Sequence, residues 1–281
     1  MADLAEVERF VAMGTRVELH RFGAGDGDAL SAARRAIEAV DDALTIHRPS
    51  PTTALNEALL AGREAAIDDA VLFEALVAID AVHALTNGLF DPTADRRFAG
   101  AGWSDIAFDR ATGRVRATRS IALDFGGFGK GFALDRACAA LREAGVASAC
   151  LSAGESSIAV VGEHPLGGGW PFAIPHPLDA GRTLVELELT DESLSISSTV
   201  GAGAQAPERA AMIRPSDGAT VTAARCTIAV DRLGAHAEAM STALLVADQD
   251  RAARLLSAPH RYLFDLSHEA AIGRPSARML Q

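Results

Sequence analysis

The sequence predicts an α+β fold, because strand and helix signals come in clusters and not in regular βαβ alternation. Three observations carry that reading. Val17 and Leu19 alternate with Arg16, Glu18 and His20, the period of a half-buried strand. Leu30, Ala33, Ile37, Val40 and Leu44 recur at helical spacing. From Arg114 onward, short β-compatible runs dominate, interrupted by two helical stretches.

Taken in order, Val7 to Phe22 reads as a strand pair or one bent strand, interrupted at Met13-Gly14-Thr15. Asp26 to Asp28 can cap the helix that carries Leu30 to Leu44, and Pro49 and Pro51 end it. A short helix is expected over Thr52 to Leu60 and a longer one over Asp68 to Leu85. Asn87-Gly88 closes the latter with residues that tolerate a left-handed turn. Arg114 to Thr118 and Ile121 to Asp124 read as strands. The glycine-rich turn Gly126 to Gly131 leads into a helix from about Phe132 to Ala144. Strands follow at Ala149 to Ser152, Ile158 to Gly162, Trp170 to Ile174 and Leu184 to Leu189. Pro215-Ser216-Asp217-Gly218 is a turn, Cys226 to Val230 a strand, Ala237 to Val246 a helix and Arg261 to Leu266 a final strand. No linker or internal repeat divides the 281 residues, so residues 1–281 are read as a single domain.

Composition narrows the function. At 49% apolar and 22% charged, the chain can bury a core of its own, and disorder is excluded. A formal net charge of −11 with few aromatics argues against nucleic acid and anionic membranes as partners. A phosphate-bearing ligand must therefore meet a local cation or a bound metal. The three cysteines, Cys138, Cys150 and Cys226, are far apart, which fits buried thiols in a reducing compartment. Met1 to Phe10 lacks the layout of a signal peptide, and no apolar run approaches a membrane span, so the expected location is the cytoplasm.

The most informative stretch is Leu123-Asp124-Phe125-Gly126-Gly127-Phe128-Gly129-Lys130-Gly131. It fails the P-loop pattern, because Asp124 stands where the first glycine belongs and Gly131 follows the lysine. It fails the dinucleotide fingerprint too. A strand ending in Asp, then glycines, then Lys130 at a helix start is still a coherent anion site. A plain glycine-rich turn with a surface lysine is the alternative. Further on, Glu238 and Thr242 lie four apart on one helix face, where a carboxylate and a hydroxyl can share a hard cation. A solvated Glu and a Thr bonding its own helix would give the same spacing. Nothing supports a Ser-His-Asp hydrolase or a His-based metal site.

These pieces occur in a recognisable order. Met13-Gly14-Thr15, Ser50 to Asn56, Gly88-Leu89-Phe90-Asp91-Pro92-Thr93, Asp124 to Asp135 and Glu238 to Leu244 together resemble the ApbE family of FAD:protein FMN transferases. The resemblance spans roughly Phe10 to Ala247. It implies an α+β fold of two intimately packed lobes, with mixed or antiparallel sheets and flanking helices, holding FAD and Mg²⁺ between them. It implies transfer of FMN from FAD to a Thr or Ser hydroxyl of a target flavoprotein, with release of AMP. Met13, Asp124 and Lys130 would bind FAD, while the Gly127 carbonyl, Glu238 and Thr242 would hold Mg²⁺.

The chain departs from the family pattern in several places. The usual metal Asp is Glu238, one methylene longer. The family's His-x-x-Asp-Pro-x-x-Gly reads Ala211 to Gly218, with Ala211 for His and Arg214 for Asp. Asn-x-Gly-Gly becomes Ser152-Ala153-Gly154-Glu155, and Thr-Ser-Gly becomes Ser197-Ser198-Thr199. With that His missing, no catalytic residue is assigned. Simple FAD hydrolysis to FMN and AMP, a catalytically weak FAD-binding module, and a relative with another ligand remain open alternatives.

Overall fold

A computed structural model describes residues 5–23, 27–95, 97, 100–201, 212–267 and 278–279. The elements are β1 (Glu6–Ala12), β2 (Thr15–Phe22), α1 (Ala29–Leu44), α2 (Pro51–Leu60), β3 (Ala65–Ala66) and α3 (Ala70–Leu85), then β4 (Ile106–Asp109), β5 (Arg114–Ala117) and α4 (Gly129–Glu143). The second half runs β6 (Ser148–Ala153), β7 (Ser157–Val161), β8 (Trp170–His176), β9 (Asp179–Leu189), β10 (Ser193–Ser198), β11 (Arg225–Asp231), α5 (Gly234–Val246), α6 (Gln249–Leu256), β12 (Arg261–Asp265) and β13 (Arg278–Met279).

The α+β expectation holds. Among the described residues, eight strands form one sheet in the order β1-β2-β6-β7-β10-β11-β12-β13, and every described pairing is antiparallel. One face packs against α1, α4 and α5. The β8–β9 ribbon covers the other face at β7 and β10 to β12, where Trp170, Ile174 and Leu189 meet Val160, Leu194, Ile228 and Phe264. A small sheet, β3-β5-β4, lies beside α2 and α3.

The local rules explain most boundaries. Leu30, Ala33, Ile37, Val40 and Leu44 are all buried on the inner stripe of α1, and each large one contributes about 1.5–3 kcal/mol. Pro51 does not simply end a helix: it opens α2, with Ser50 as its capping residue. Asp69 caps α3 through Leu72 N, at 2.8 Å. Asn87 and Gly88, at φ 51° and 73°, close the same helix in the left-handed region. Val7 to Phe22 is a hairpin, with Met13 and Gly14 at φ 55° and 67° in its turn.

Two expectations around the glycine turn need correction, while α5 and β9 begin earlier than expected, at Gly234 and Asp179. Ile121 to Asp124 joins no ladder. The helix expected from Phe132 begins at Gly129, so Gly129 and Gly131 lie within its first turn and Lys130 is its second residue. Strands β4 and β10 and helix α6 are elements that the sequence patterns do not predict.

Candidate functional site

The segment before the glycine turn is held by Asn56 and the 90–93 loop in place of a neighbouring strand. Asn56 Nδ2 donates to Leu123 O at 2.9 Å, and Leu123 N donates to Asn56 Oδ1 at 2.7 Å. Asp124 N donates to Pro92 O at 2.7 Å, tying on the Phe90-Asp91-Pro92-Thr93 loop. That loop is fixed by Asp91, which accepts from Thr93 N and Oγ1 and from Trp103 N. Asp124 Oδ1 then accepts from Gly126 N at 2.8 Å, starting the turn. Phe128, the residue before α4, offers no side-chain acceptor, so the first turn of α4 is left uncapped by side chains.

Helices α4 and α5 touch backbone to backbone. A Cβ built on Gly131 would lie 2.1 Å from Gly234 O, closer than any side chain could be accommodated. Asp135, one turn further along α4, accepts from Gly234 N at 2.6 Å and Ala235 N at 3.0 Å. A carboxylate of one helix thus caps the other. Burial pushes the Asp135 carboxyl up to about 6, against the two amide hydrogen bonds and nearby His236, which favour its charged form.

The contact between α4 and α5 brings Lys130 to Glu238. Lys130 Nζ lies 2.9 Å from Glu238 Oε1, which also accepts from the Ser157 hydroxyl. Glu238 is only 3% exposed and Ser157 1%, so Glu238 is not the solvated carboxylate of the alternative reading. Glu238 Oε2 is buried and has no hydrogen-bond partner among the described residues. One turn on, Thr242 sits against the glycine turn: a Cβ on Gly127 would lie 3.1 Å from Thr242 Oγ1. Ser241 bonds Ser195 and Ser197, both at 2.9 Å, and anchors α5 to β10.

Met13, Asp124 and Lys130 line one cleft of about 400 Å³, with Asp41, His47 and Arg48 on its α1 side. The Met13 methyl lies 3.1 Å from where a Gly129 Cβ would stand. A second cleft of about 500 Å³ shares Ile46 and Asp124 with the first, and includes Asn56, Thr93 and Ile213.

A model of the ApbE family matches residues 94–264. The chain belongs to the ApbE family. No curated protein matches the sequence. Among solved structures, the ApbE protein of Thermotoga maritima is 18% identical with a TM-score of 0.81, over 99% of this chain and 97% of its own. The Pseudomonas stutzeri flavinyl transferase ApbE in its apo form is 24% identical with a TM-score of 0.77, covering 94% and 91%. The flavin transferase ApbE of Vibrio cholerae is 18% identical with a TM-score of 0.75, covering 93% and 94%. At such identities the likeness is one of fold.

Within this ApbE-family fold the six residues singled out in the sequence converge in groups. Met13, Asp124 and Lys130 share the first cleft, Lys130 joins Glu238, and Gly127 adjoins Thr242. Ala211 lies outside the described residues. Arg214 adds no free charge, because Asp217 pairs with it at 2.7 Å. Glu155, in place of a family glycine, keeps the left-handed backbone at φ 60°, and Arg16 holds its carboxylate at 3.1 Å. Sequence reasoning misses Ser157, Asn56 and the capping role of Asp135. Of these, Asp135 and Asn56 have a signal, Asp135 its place in the glycine–lysine motif and Asn56 its place in the 50–56 stretch.

Among the described residues no three His, Cys, Asp or Glu side chains gather into a metal-binding group. The donor set nonetheless fits Mg²⁺, which is commonly bound by one or two carboxylates together with substrate phosphates. Glu238 Oε2 is a buried carboxylate oxygen without a hydrogen-bond partner among the described residues, with the Thr242 hydroxyl one turn away on the same helix.

Proposed function

We propose that this chain is a Mg²⁺-dependent flavin transferase, a single domain working in the cytoplasm. It moves FMN from FAD to a Thr or Ser hydroxyl of a target flavoprotein. The observation that carries the reading is the cleft where Met13, Asp124 and Lys130 meet beside the paired Glu238. The solved flavin transferases that share the fold support it. The dispersed cysteines, all free and their thiols pushed up to about 11 or 12 by burial, fit that compartment. No described helix is long and apolar enough to cross a membrane.

The acceptor oxygen attacks the phosphorus on the FMN side of the FAD diphosphate. The bridging P–O bond to AMP breaks as the new P–O bond forms, and the hydroxyl proton leaves to water. Lys130 and the open first turn of α4 attract the diphosphate. Met13 and Asp124 orient the flavin nucleotide across the cleft. Bound through the Gly127 carbonyl, Glu238 and the Thr242 hydroxyl, Mg²⁺ would supply charge neutralisation at the diphosphate. Positioning and electrostatics then provide most of the acceleration.

Pure protein incubated with FAD, Mg²⁺ and an acceptor domain is expected to yield AMP and an acceptor heavier by one FMN. AMP without the adduct would favour FAD hydrolysis, and FAD binding without AMP a binding module. Lys130→Ala is expected to weaken FAD by about tenfold or more in calorimetry, the scale of one lost charge-assisted hydrogen bond. Unchanged affinity would remove Lys130 from the site.

A further inference from the structure

Lys130 faces two ways. Its ammonium pairs with a buried carboxylate, yet the residue also lines the open cleft. The carboxylate it pairs with is the one that the Mg²⁺ reading requires. Oε1 of Glu238 is taken by Lys130 and Ser157, and Oε2 is left without a partner among the described residues. Among those residues, no second carboxylate of the cleft is buried to balance another cation. Asp124 lines the cleft, but it is exposed and bonds the turn at Gly126.

We infer that Lys130 is a built-in cation that holds the metal's carboxylate until the diphosphate arrives, so that metal and dinucleotide bind as one coupled event. The inference rests on the flavin-transferase reading and deepens it. Charge counting gives the reason. Lys130 and Glu238 sum to zero, and Mg²⁺ added alone would leave two positive charges in a partly buried site. A diphosphate brings the two negative charges that restore balance. It also gives the ammonium a new partner on the cleft side, so Lys130 can leave Oε1 as the metal engages the carboxylate. The coupling must be reciprocal: FAD tightens the metal by the same factor as the metal tightens FAD.

Mn²⁺ serves as the probe, followed by electron paramagnetic resonance, which needs no turnover. For the wild type, Mn²⁺ alone is expected to bind weakly and to tighten strongly with FAD. Lys130→Met keeps the side-chain bulk and removes the charge. It is expected to bind Mn²⁺ alone roughly tenfold more tightly than the wild type does, to bind FAD less well, and to show a smaller coupling factor. A wild-type crystal with Mg²⁺ and FAD gives a check that needs no variant: Lys130 Nζ should lie beyond ~4 Å from Glu238 Oε1, outside ion-pair range. Equal Mn²⁺ affinities for wild type and Lys130→Met would overturn the inference, as would the retained ion pair in that crystal; both leave the metal site itself standing. If neither protein takes up Mn²⁺ even with FAD bound, the Mg²⁺ reading fails and the inference falls with it.

Discussion

Gly131→Ala is expected to lower the unfolding temperature by roughly 6–12 °C and to cut FAD affinity in the protein that remains folded. The added methyl would stand 2.1 Å from Gly234 O, 2.3 Å from Gly234 C and 2.8 Å from Ala235 N. All three are backbone atoms, so no side chain can rotate away. Relief requires α4 and α5 to separate, and both are buried against the sheet and against each other. Overpacking of this kind costs about 3 kcal/mol or more, and for a chain of this size each kcal/mol corresponds to roughly 2–4 °C. Separation of the helices also draws Lys130 from Glu238. Gly27→Ala is the control, since no described residue lies within 4 Å of its Cβ position, and it should change stability by no more than about 0.5 kcal/mol. Equal melting of Gly131→Ala and the control would mean that the helices are not in backbone contact.

The second large effect is a pH dependence located at Asp135. Burial raises its carboxyl from the ordinary value of 3.8 to about 6 in the folded protein. Between those two values the native state holds a proton that the unfolded chain releases. Its contribution to stability is therefore fully present below about pH 4 and is lost as pH rises through 6. The difference in stability between wild type and Asp135→Asn, which does not titrate, should fall by roughly 2–3 kcal/mol from pH 4 to pH 7. Urea melts of both proteins across that range provide the measurement. Parallel curves would show that the amides of Gly234 and Ala235 fully offset the burial of the charge.

Elements with an intrinsic period are legible in the chain itself. The α1 stripe and the β1–β2 hairpin announce themselves through side chains that recur or alternate, and the 225–231 strand through a continuous, mostly apolar run. Strand β10 is harder to see: Leu194 and Ile196 alternate with serines, but four serines in Ser193-Leu194-Ser195-Ile196-Ser197-Ser198 give it the composition of a loop. Ser195 and Ser197 are accommodated at the helix interface because Ser241 on α5 satisfies their hydroxyls. Helix α6 is polar and short, and its start depends on Asp248 capping Arg251 N at 2.8 Å. Residues 121–124 read as a strand from their short β-compatible run, but Asn56 takes the role of a neighbouring strand. At the site, Lys130 and Thr242 can be singled out by spacing. Ser157 cannot, since its only claim is a hydrogen bond to a residue 81 positions away.

That separation is typical of the whole centre. Asp135 meets Gly234 across 99 positions, and Asn56 meets Leu123 across 67. Each of these links closes a long loop, whose entropy is lost before the contact is made. The Lys130–Glu238 pair therefore needs α5 in place, and the centre should mature late during folding, after the local hairpin and helices. The same links make the centre a sensor of global integrity. The amide hydrogens of Gly234 and Ala235, shielded only while Asp135 holds them, should exchange with solvent at the rate at which α4 and α5 part. Following those two hydrogens would time the opening of a binding centre without any ligand present.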